Sequence, residues 1–318
     1  MLAYTLRRLL WVIPVLWVIA TITFFMMQAV PGGPFTREKE RPPAIEAAIE
    51  REYGLDKPVW EQYLRYMGNL ARGDLGISFQ DRQPVLDTIK DRGFTSVQIA
   101  LLSLLMAIAL GLTLGVIAAL GHNGPFDYLG VLFATIGASV PHFVLGAFLV
   151  IIFSVNLGWF HQLGWGGPRE AGDLLNPSAY DYRRMVLPVV ALGTLPAAYV
   201  ARITRASILE VLNQDYIRTA RAKGLREYEV IVRHTIKNAM IPILTIVGPI
   251  AALLASGSFI IESMFNIAGI GREFVLAVQQ RDYGLIMGTV LFFAFIVSMA
   301  SLIVDLLYAV VDPRIRYR

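Results

Sequence analysis

The sequence predicts an all-α membrane protein with six transmembrane helices, and three observations lead to this class. Hydrophobic residues make up 56% of the 318 residues and charged residues only 16%, against about 25% charged residues in an ordinary soluble domain. Six separate apolar stretches approach or exceed the roughly 20 residues that one helical span requires. The mean hydropathy of +0.57 agrees with a chain that lies largely within a bilayer.

The first span is predicted at residues 9–30, directly after Arg7 and Arg8. It is longer than the roughly 7–15 apolar residues of a signal peptide and lacks a small-residue cleavage motif, so a cleaved leader is the weaker reading. In the second span, Gly111 and Gly115 form a small-residue face that favours close approach of another helix. The remaining spans are predicted at 95–120, 129–157, 185–201 with an extension toward Leu209, 238–261 and 285–311.

The segment between the first two spans, residues 31–94, is predicted to be a structured external segment. Residues 43–53 suggest a short acidic helix, Pro58 starts a second helix and Pro84 opens a third short amphipathic piece. Gly73 and Gly76 punctuate the segment. The second helix carries an apolar stripe of Trp60, Leu64, Met67 and Ala71. A cap on the outer ends of the spans is the favoured interpretation, and a docking surface for a soluble partner is the other.

Three regions follow from this division of the chain. Residues 1–30 form the N-terminus and first span, residues 31–94 the external segment, and residues 95–318 the core with the remaining five spans. Lys and Arg predict that both termini are cytoplasmic, because the inner segments then hold thirteen basic residues against five in the outer connections after the third and fifth spans. The external segment exceeds the roughly 60 residues to which that rule applies.

The sequence carries no recognisable motif for chemistry of its own. The absence of cysteine excludes a disulfide framework, a cysteine metal site and a thiol nucleophile. The phosphate loop Gly-x-x-x-x-Gly-Lys-Ser/Thr, His-Glu-x-x-His and Gly-x-Ser-x-Gly are also missing. We therefore expect a non-catalytic chain with no cofactor, and the modest net charge of +4 does not indicate nucleic acid as a partner.

Few ionisable side chains fall within the predicted spans. Asp305 lies near the inner end of the sixth span, and we expect it to pair with Arg202 or Arg205 as a structural clamp rather than to relay protons. Glu262 lies near the outer end of the fifth span. His142 has no second ligand at metal spacing, so it is predicted to be a hydrogen-bonded polar residue.

The most informative stretch is the inner connection between the fourth and fifth spans, residues 206–237. Such a connection needs only a few residues, so a long and basic one indicates a contact outside the membrane. Asn213 and Asp215 are predicted to cap a short surface helix, and Gly224 is predicted to end it. The candidate site is Tyr216, Ile217, Arg218, Thr219, Ala220, Arg221, Ala222, Lys223, Gly224 and Leu225.

Two partners suit the cations of this short helix. Arg218, Arg221 and Lys223 could bind an acidic groove of another protein. They could equally bind anionic lipid headgroups, which attract juxtamembrane Lys and Arg by about 1 kcal/mol per residue. Composition alone leaves both open.

Short motifs along the whole chain resemble those of one transporter family. They are Leu6-Arg7-Arg8-Leu9 with Pro14, Pro31-Gly32-Gly33-Pro34-Phe35-Thr36, Tyr53-Gly54-Leu55, Gly73-Asp74-Leu75-Gly76, Ala201-Arg202-Ile203-Thr204-Arg205, residues 216–225, Gly269-Ile270-Gly271, Asp282-Tyr283 and Leu307-Tyr308-Ala309-Val310-Val311-Asp312-Pro313-Arg314. With them the chain is similar to the inner-membrane permease subunits of ATP-binding-cassette (ABC) peptide importers, in particular the oligopeptide B-type subunit of the dipeptide/oligopeptide/nickel group.

This resemblance implies the type I importer permease fold and a coupling role for the short inner helix. In that family the loop before the fifth span carries the "EAA" motif, whose helix sits in a cleft of the ATPase subunit. Gly224 matches the motif's glycine, and Arg218-Thr219-Ala220 stand where Glu-Ala-Ala would be, so the glutamate is absent. The Arg-Thr-Ala-Arg-Ala-Lys-Gly form is common in the peptide-importer branch.

The resemblance also implies the surrounding machinery. A homologous second permease subunit would complete a heterodimeric pathway, two ATPase subunits would carry ATP and Mg, and an external peptide-binding protein would deliver oligopeptides. The chain would lie in the bacterial inner membrane among its lipids. A dipeptide or nickel-chelate importer is the alternative within the family. An ion-coupled secondary carrier and a membrane anchor are the alternatives outside it, although neither inverted halves nor a mid-membrane charge relay supports the carrier.

Overall fold

The computed structural model describes residues 2–30, 51, 54–168 and 171–311, and these residues are almost entirely helical. The ten helices that we number are α1 (Leu2–Ala29), α2 (Val59–Ala71), α3 (Val85–Leu120), α4 (Pro125–Ser139), α5 (His142–Leu149), α6 (Tyr182–Leu212), α7 (Asp215–Ala222), α8 (Glu227–Met264), α9 (Ile270–Gln280) and α10 (Tyr283–Val311). A π-helical stretch, Val150–Asn156, extends α5. Two short 3₁₀ turns, Ala171–Asp173 and Pro177–Ala179, precede α6.

Five of these helices, namely α1, α3, α6, α8 and α10, are long and apolar enough to cross a membrane. The third predicted span is not one continuous helix, because α4 and its continuation in α5 meet at 105°. The break falls at Val140, which is extended at φ −89° and ψ 121°. Pro141 explains the break, since proline lacks an N–H and disfavours a helical residue before it. Counted as one bent span, the pair completes the predicted six.

His142 begins α5 just after this break. Its Nε2 atom is buried and has no hydrogen-bond partner in the described part of the chain. The prediction of a hydrogen-bonded histidine is therefore wrong for this ring nitrogen. Among the described residues no group of three or more His, Cys, Asp or Glu could hold a metal ion.

Helices α3 and α6 are in close contact at the centre of the core. A Cβ atom on Gly111 would lie 2.5 Å from Cβ of Val200, and one on Gly115 would lie 2.5 Å from Cβ of Thr204. The predicted small-residue face is thus confirmed as the contact surface for α6. A hydrophobic cluster packs around this face. It contains residues of α3, α6, α8 and the turn after α8, including the fully buried Ile99.

Helix α1 lies against α10, and Arg8 joins Asp305 across this contact with 2.9 Å between Nη2 and Oδ2. The predicted pairing of Asp305 with Arg202 or Arg205 is therefore wrong. The prediction placed the partner of Asp305 on the fourth span, whereas the sixth span, which carries Asp305, packs beside the first. Arg202 instead stands over the ring of Tyr199, 5.3 Å from its centre.

The described part of the external segment rests on α1 and α10. Pro58 precedes α2, as predicted, but the predicted apolar stripe is not buried, since Trp60 is 64% exposed and Leu64 is 58% exposed. The contact with α1 uses Tyr63, whose hydroxyl lies 2.9 Å from Thr21 Oγ1, and Gln62, which accepts a hydrogen bond from Gln28.

Two further expectations for the external segment have different outcomes. Gly73 and Gly76 have φ of +81° and +82°, which confirms them as turn residues. The piece after Pro84 is the first part of the long helix α3 and not a separate element. The predicted acidic helix at 43–53 and the motif from Pro31 to Thr36 lie outside the described residues, apart from residue 51.

Two buried carboxylates hold the first turns of α9 and α10. Asp282, 1% exposed, accepts hydrogen bonds from the Ser78 hydroxyl at 2.5 Å and from Leu285 N–H in the first turn of α10 at 3.0 Å. Glu262, fully buried in the last turn of α8, accepts from Arg272 N–H in the first turn of α9 at 3.0 Å. Each carboxylate therefore satisfies a helix N-terminus that would otherwise carry unpaired donors.

Candidate functional site

The short helix predicted between the fourth and fifth spans is present as α7. Gln214 precedes it in an extended conformation and makes no side-chain cap, so the prediction that Asn213 or Asp215 caps the helix is wrong. Asn213 instead donates its amide to Leu209 O at 2.9 Å and finishes α6. Asp215 lies inside the first turn, where it complements the helix dipole and pairs with Arg218 at 3.2 Å.

The end of α7 is set by Gly224, as predicted. Its φ of +77° is a left-handed conformation that glycine adopts without a steric penalty. Gly224 N–H donates to Arg221 O at 3.0 Å, and Leu225 N–H donates to Ala220 O at 3.4 Å. These bonds satisfy carbonyls of the last turn and reverse the chain toward α8.

One face of α7 is packed against the ends of the two long helices that it connects. Ile217 is fully buried and Ala220 is 6% exposed. They form a cluster with Val230 of α8, also fully buried, and Val211 of α6. The two buried positions are three residues apart and so share one side of the helix. Val211 and Val230 could not be identified as neighbours from the sequence. Contacts across the turns that flank α7 on either side have no fixed sequence spacing.

The opposite face of α7 is exposed and carries the charges. The Arg218 side chain is 71% exposed. The other exposed members of the candidate site are Tyr216, Thr219, Arg221, Ala222, Lys223, Gly224 and Leu225. The structure therefore brings all ten predicted residues into one amphipathic unit, with Ile217 and Ala220 serving as its attachment.

Arg221 differs from Arg218 because its partner lies on the next long helix, whereas Arg218 pairs with Asp215 inside α7. Its Nη2 and Nε atoms donate to the two carboxylate oxygens of Glu227 at 2.7 and 3.2 Å. These bonds raise the pKa of Arg221 above its usual value and keep it charged. Glu227 is the first residue of α8, so the pair fastens the end of α7 to the start of the next long helix.

Helix α8 starts with an irregular stretch where α7 touches it. Val230–Ile236 is π-helical, and the buried hydroxyl of Thr235 donates to Val230 O at 3.1 Å, five residues back. A π-helical insertion widens the turn and is frequent at functional sites. The Val230 side chain that receives α7 is therefore the first residue of this locally altered segment.

A comparison with known proteins finds relatives over the full length. The family model described as "Binding-protein-dependent transport system inner membrane component" matches residues 111–317, and the one for the N-terminal part of such membrane components matches residues 1–100. The oligopeptide transport system permease protein OppB of Haemophilus influenzae is 38% identical over 318 residues, all of both chains. The dipeptide transport system permease protein DppB of Bacillus subtilis is 39% identical over 317 residues, 99% of this chain and 98% of that protein.

Solved structures agree on the fold. The MetNI methionine ABC transporter in an inward-facing conformation contains a chain that aligns with a TM-score of 0.52 at 15% identity, covering 69% of this chain and 94% of its own. An amino acid ABC transporter crystallised with histidines aligns with a TM-score of 0.50 at 17% identity, covering 70% and 92%.

Proposed function

The chain belongs to the family of binding-protein-dependent transport system inner membrane components, and from this premise we propose that it forms half of an ATP-driven import pathway for oligopeptides. A homologous second permease subunit supplies the other half. Two ATPase subunits bind ATP and Mg, and an external binding protein delivers the peptide. The permease itself performs no catalysis, and both of its termini face the cytoplasm of a bacterial cell.

The observation that carries this proposal is the construction of α7. Its apolar face is already packed against Val211 and Val230. The face left for a partner is therefore the exposed one, with Arg218 and Lys223. A basic face of this kind fits an acidic cleft on a partner subunit. Arg221 is committed to Glu227, which leaves it the role of holding the helix in place.

The attachment of α7 also provides a route for force. A displacement of this helix acts on the inner end of α6 through Val211 and on that of α8 through Val230 and Glu227. Both long helices run through the core of the protein. Movement of the ATPase subunits can therefore change the angles of the helices that line a pathway without any nucleotide site in this chain.

Peptides are the substrate class that the relatives favour. The OppB and DppB proteins, whose names refer to oligopeptides and dipeptides, are similarly close to this chain at 38–40% identity. Dipeptides are therefore the second candidate substrate. A purified transporter in liposomes, offered dipeptides, tripeptides and pentapeptides in competition, would separate the two by their uptake rates.

The first experiment tests whether the exposed face of α7 binds the ATPase. The chain would be co-expressed with its neighbouring transporter genes, and the yield of ATPase in the purified complex compared for wild type, Arg218→Glu/Lys223→Glu and Arg72→Glu. Arg72 is an exposed arginine after α2, distant in sequence from α7, and serves as a charge-reversal control. We expect the double reversal to weaken ATPase binding by about tenfold or more and the control to retain it.

Two outcomes would contradict the proposal. Full ATPase binding by the double variant would show that the basic face is not the docking surface. Peptide uptake that follows a proton or sodium gradient, with no ATPase in the wild-type complex, would favour the secondary carrier instead.

A further inference from the structure

A second charged contact lies between α4 and α6, away from the exposed face of α7. Asp127, in the first turn of α4, accepts hydrogen bonds from Nε and Nη2 of Arg205 in α6 at 2.5 and 2.8 Å. The Asp127 side chain is 5% exposed and that of Arg205 is 27% exposed. A planar guanidinium held by both carboxylate oxygens fixes distance and orientation at once.

The same carboxylate holds the turn that joins α3 to α4. Asn123, with φ of +60°, donates its backbone N–H to Asp127 Oδ2 at 2.9 Å, and His122 Nδ1 lies 3.2 Å from that oxygen. His122 Nδ1 is also 3.3 Å from Nη2 of Arg205. Asp127 thus joins the turn, α4 and α6 at one point, which we name the Asp127–Arg205 clamp.

Small residues make the other contacts of α4 near the clamp. A Cβ on Gly130 would lie 2.7 Å from Cβ of Ala118 in α3, and one on Gly137 would lie 3.1 Å from Cβ of Ala198 in α6. A partly open groove of about 280 Å³ runs beside the clamp between α3, α4 and α6. Small side chains interlock less than large ones and let packed helices slide past each other, so the two-pronged charged contact resists a shift of α4 along α6.

The clamp also lies close to the inner helix. Arg205 lies seven residues before the end of α6 at Leu212, which is about 10 Å along the helix, and α7 begins three residues later at Asp215. At its other end α4 leads to the 105° bend before α5. The clamp therefore lies between two elements. One is α7, where the proposed movement enters, and the other is α4–α5, the only strongly bent helix pair among the described spans.

We propose that Asp127 and Arg205 are positioning residues for transport, which make α4 and the α3–α4 turn follow the inner half of α6 when α7 is displaced. Without the clamp, α6 moves while α4 lags, and the bent α4–α5 pair no longer changes in step with ATP hydrolysis. The inference rests on the proposed function for the source of the movement. The fastening of α4 to α6 stands on the geometry alone.

The main test measures peptide uptake per ATP hydrolysed by the complete transporter in liposomes. For Arg205→Gln we expect normal ATPase binding and continued hydrolysis, but uptake per ATP lowered by about fivefold or more. Arg205→Lys keeps the charge without the two-pronged geometry, so its uptake per ATP is expected to lie between those of wild type and Arg205→Gln. Arg8→Gln removes the ion pair between α1 and α10, which does not involve α4, and should leave the ratio unchanged.

A second measurement follows the two helices directly. The natural sequence contains no cysteine, so spin labels can be placed at Tyr128→Cys on α4 and Glu210→Cys on α6, both exposed positions. With the clamp intact, we expect the label distance to stay the same in nucleotide-free and ATP-trapped transporters. In Arg205→Gln it should change between these states, and its distribution should broaden even in the isolated chain.

An unchanged uptake ratio in Arg205→Gln, or an equal loss in Arg8→Gln, would overturn the positioning role. A label distance that is insensitive to Arg205→Gln would overturn the fastening itself. Failure of the wild-type chain to bind any ATPase would instead refute the proposed function, and the label distances in the isolated chain would still decide whether the clamp fixes α4.

Discussion

Arg221 and Glu227 face each other across the turn at Gly224 and share two hydrogen bonds, of 2.7 and 3.2 Å. Both side chains are about half exposed, 43% and 57%, and exposed ion pairs contribute about 1 kcal/mol or less to stability. The pair is therefore better suited to fixing the direction of α7 than to stabilising the whole fold. The cations that can reach a partner are then Lys223 and Arg218, whose pair with Asp215 lies on the exposed face of α7.

Replacing Glu227 by Gln should loosen α7 without unfolding the protein. The amide keeps the size of the side chain but removes the charge that holds Arg221. We expect faster hydrogen exchange of backbone amides in α7, by about threefold to fivefold, a change of about 1 kcal/mol or less in local opening. The exchange of α3 and α6 should stay at the wild-type rate.

The charge-exchanged variant Arg221→Glu/Glu227→Arg is the matched control for this change. It should restore slow exchange in α7, at least in part, because the opposite charges face each other again. Slow exchange in Glu227→Gln itself would show that the apolar contact of Ile217 with Val230 holds α7 without help from the ion pair.

Gly224 should be replaceable only by residues that tolerate a left-handed backbone. Nothing lies within 4 Å of a Cβ at this position, so any penalty comes from its φ of +77° and not from crowding. We expect Gly224→Ala to destabilise the turn by about 1–2 kcal/mol and Gly224→Asn by less. Equal ATPase binding by Ala, Asn and wild-type proteins would contradict a requirement for this turn in docking.

The glycines of the Gly269-Ile270-Gly271 motif are explained by the buried carboxylate of Glu262. A Cβ on Gly269 would collide with Glu262 Oε2, and one on Gly271 would lie 2.9 Å from the same atom. We expect Gly269→Ala to destabilise the protein by about 1–3 kcal/mol, which is usual for overpacking. Thermal unfolding in detergent would measure the loss.

Gly172→Ala is the control for this substitution, because nothing lies within 4 Å of its Cβ and its φ is not positive. It should unfold within a degree or two of wild type. If Gly269→Ala were equally stable, the carboxylate of Glu262 would have to move easily, and its role in holding the first turn of α9 would be lost.

The sequence was sufficient for the features that depend on local chemistry. Apolar length placed the membrane-spanning stretches, and the chemistry of glycine placed the end of α7 and the turns at Gly73 and Gly76. Spacing also identified Gly111 and Gly115 as a close-contact face. In each case the property belongs to one residue or to one helix, so no distant partner had to be known.

Features that depend on which helices are neighbours were not accessible in this way. Asp305 was expected to pair with Arg202 or Arg205, but it pairs with Arg8, and Arg205 pairs with Asp127. The bend at Pro141 was hidden in a continuous apolar run, because a proline kinks some membrane helices only slightly and breaks others. Packing against neighbouring helices decides between these outcomes, and that packing cannot be read from a single sequence.

The anchoring of the turn at residues 77–84 to Asp282 leads to a last prediction. Asp282 accepts hydrogen bonds from the Ser78 hydroxyl at 2.5 Å and from the N–H groups of Phe79 and Gln80 at 3.1 and 3.3 Å. Arg82, in the same turn, is exposed and has a φ of +57°. Asp282→Ala removes these three contacts together with the one to Leu285 N–H and leaves the buried Ser78 hydroxyl without this acceptor, so the turn should detach from α10.

Limited trypsin digestion measures this detachment, because cleavage after Arg82 requires the turn to open. We expect Asp282→Ala to be cut there at least about tenfold faster than wild type, consistent with a loss of more than about 1.4 kcal/mol. Ser78→Ala, which also removes the oxygen that accepts from Asp81 N–H at 3.0 Å, should show a smaller increase, since the N–H groups of Phe79 and Gln80 keep Asp282 as their acceptor. Equal cleavage rates for Asp282→Ala and wild type would mean that the bridge between Ile77 and Pro84 closes this turn independently of Asp282.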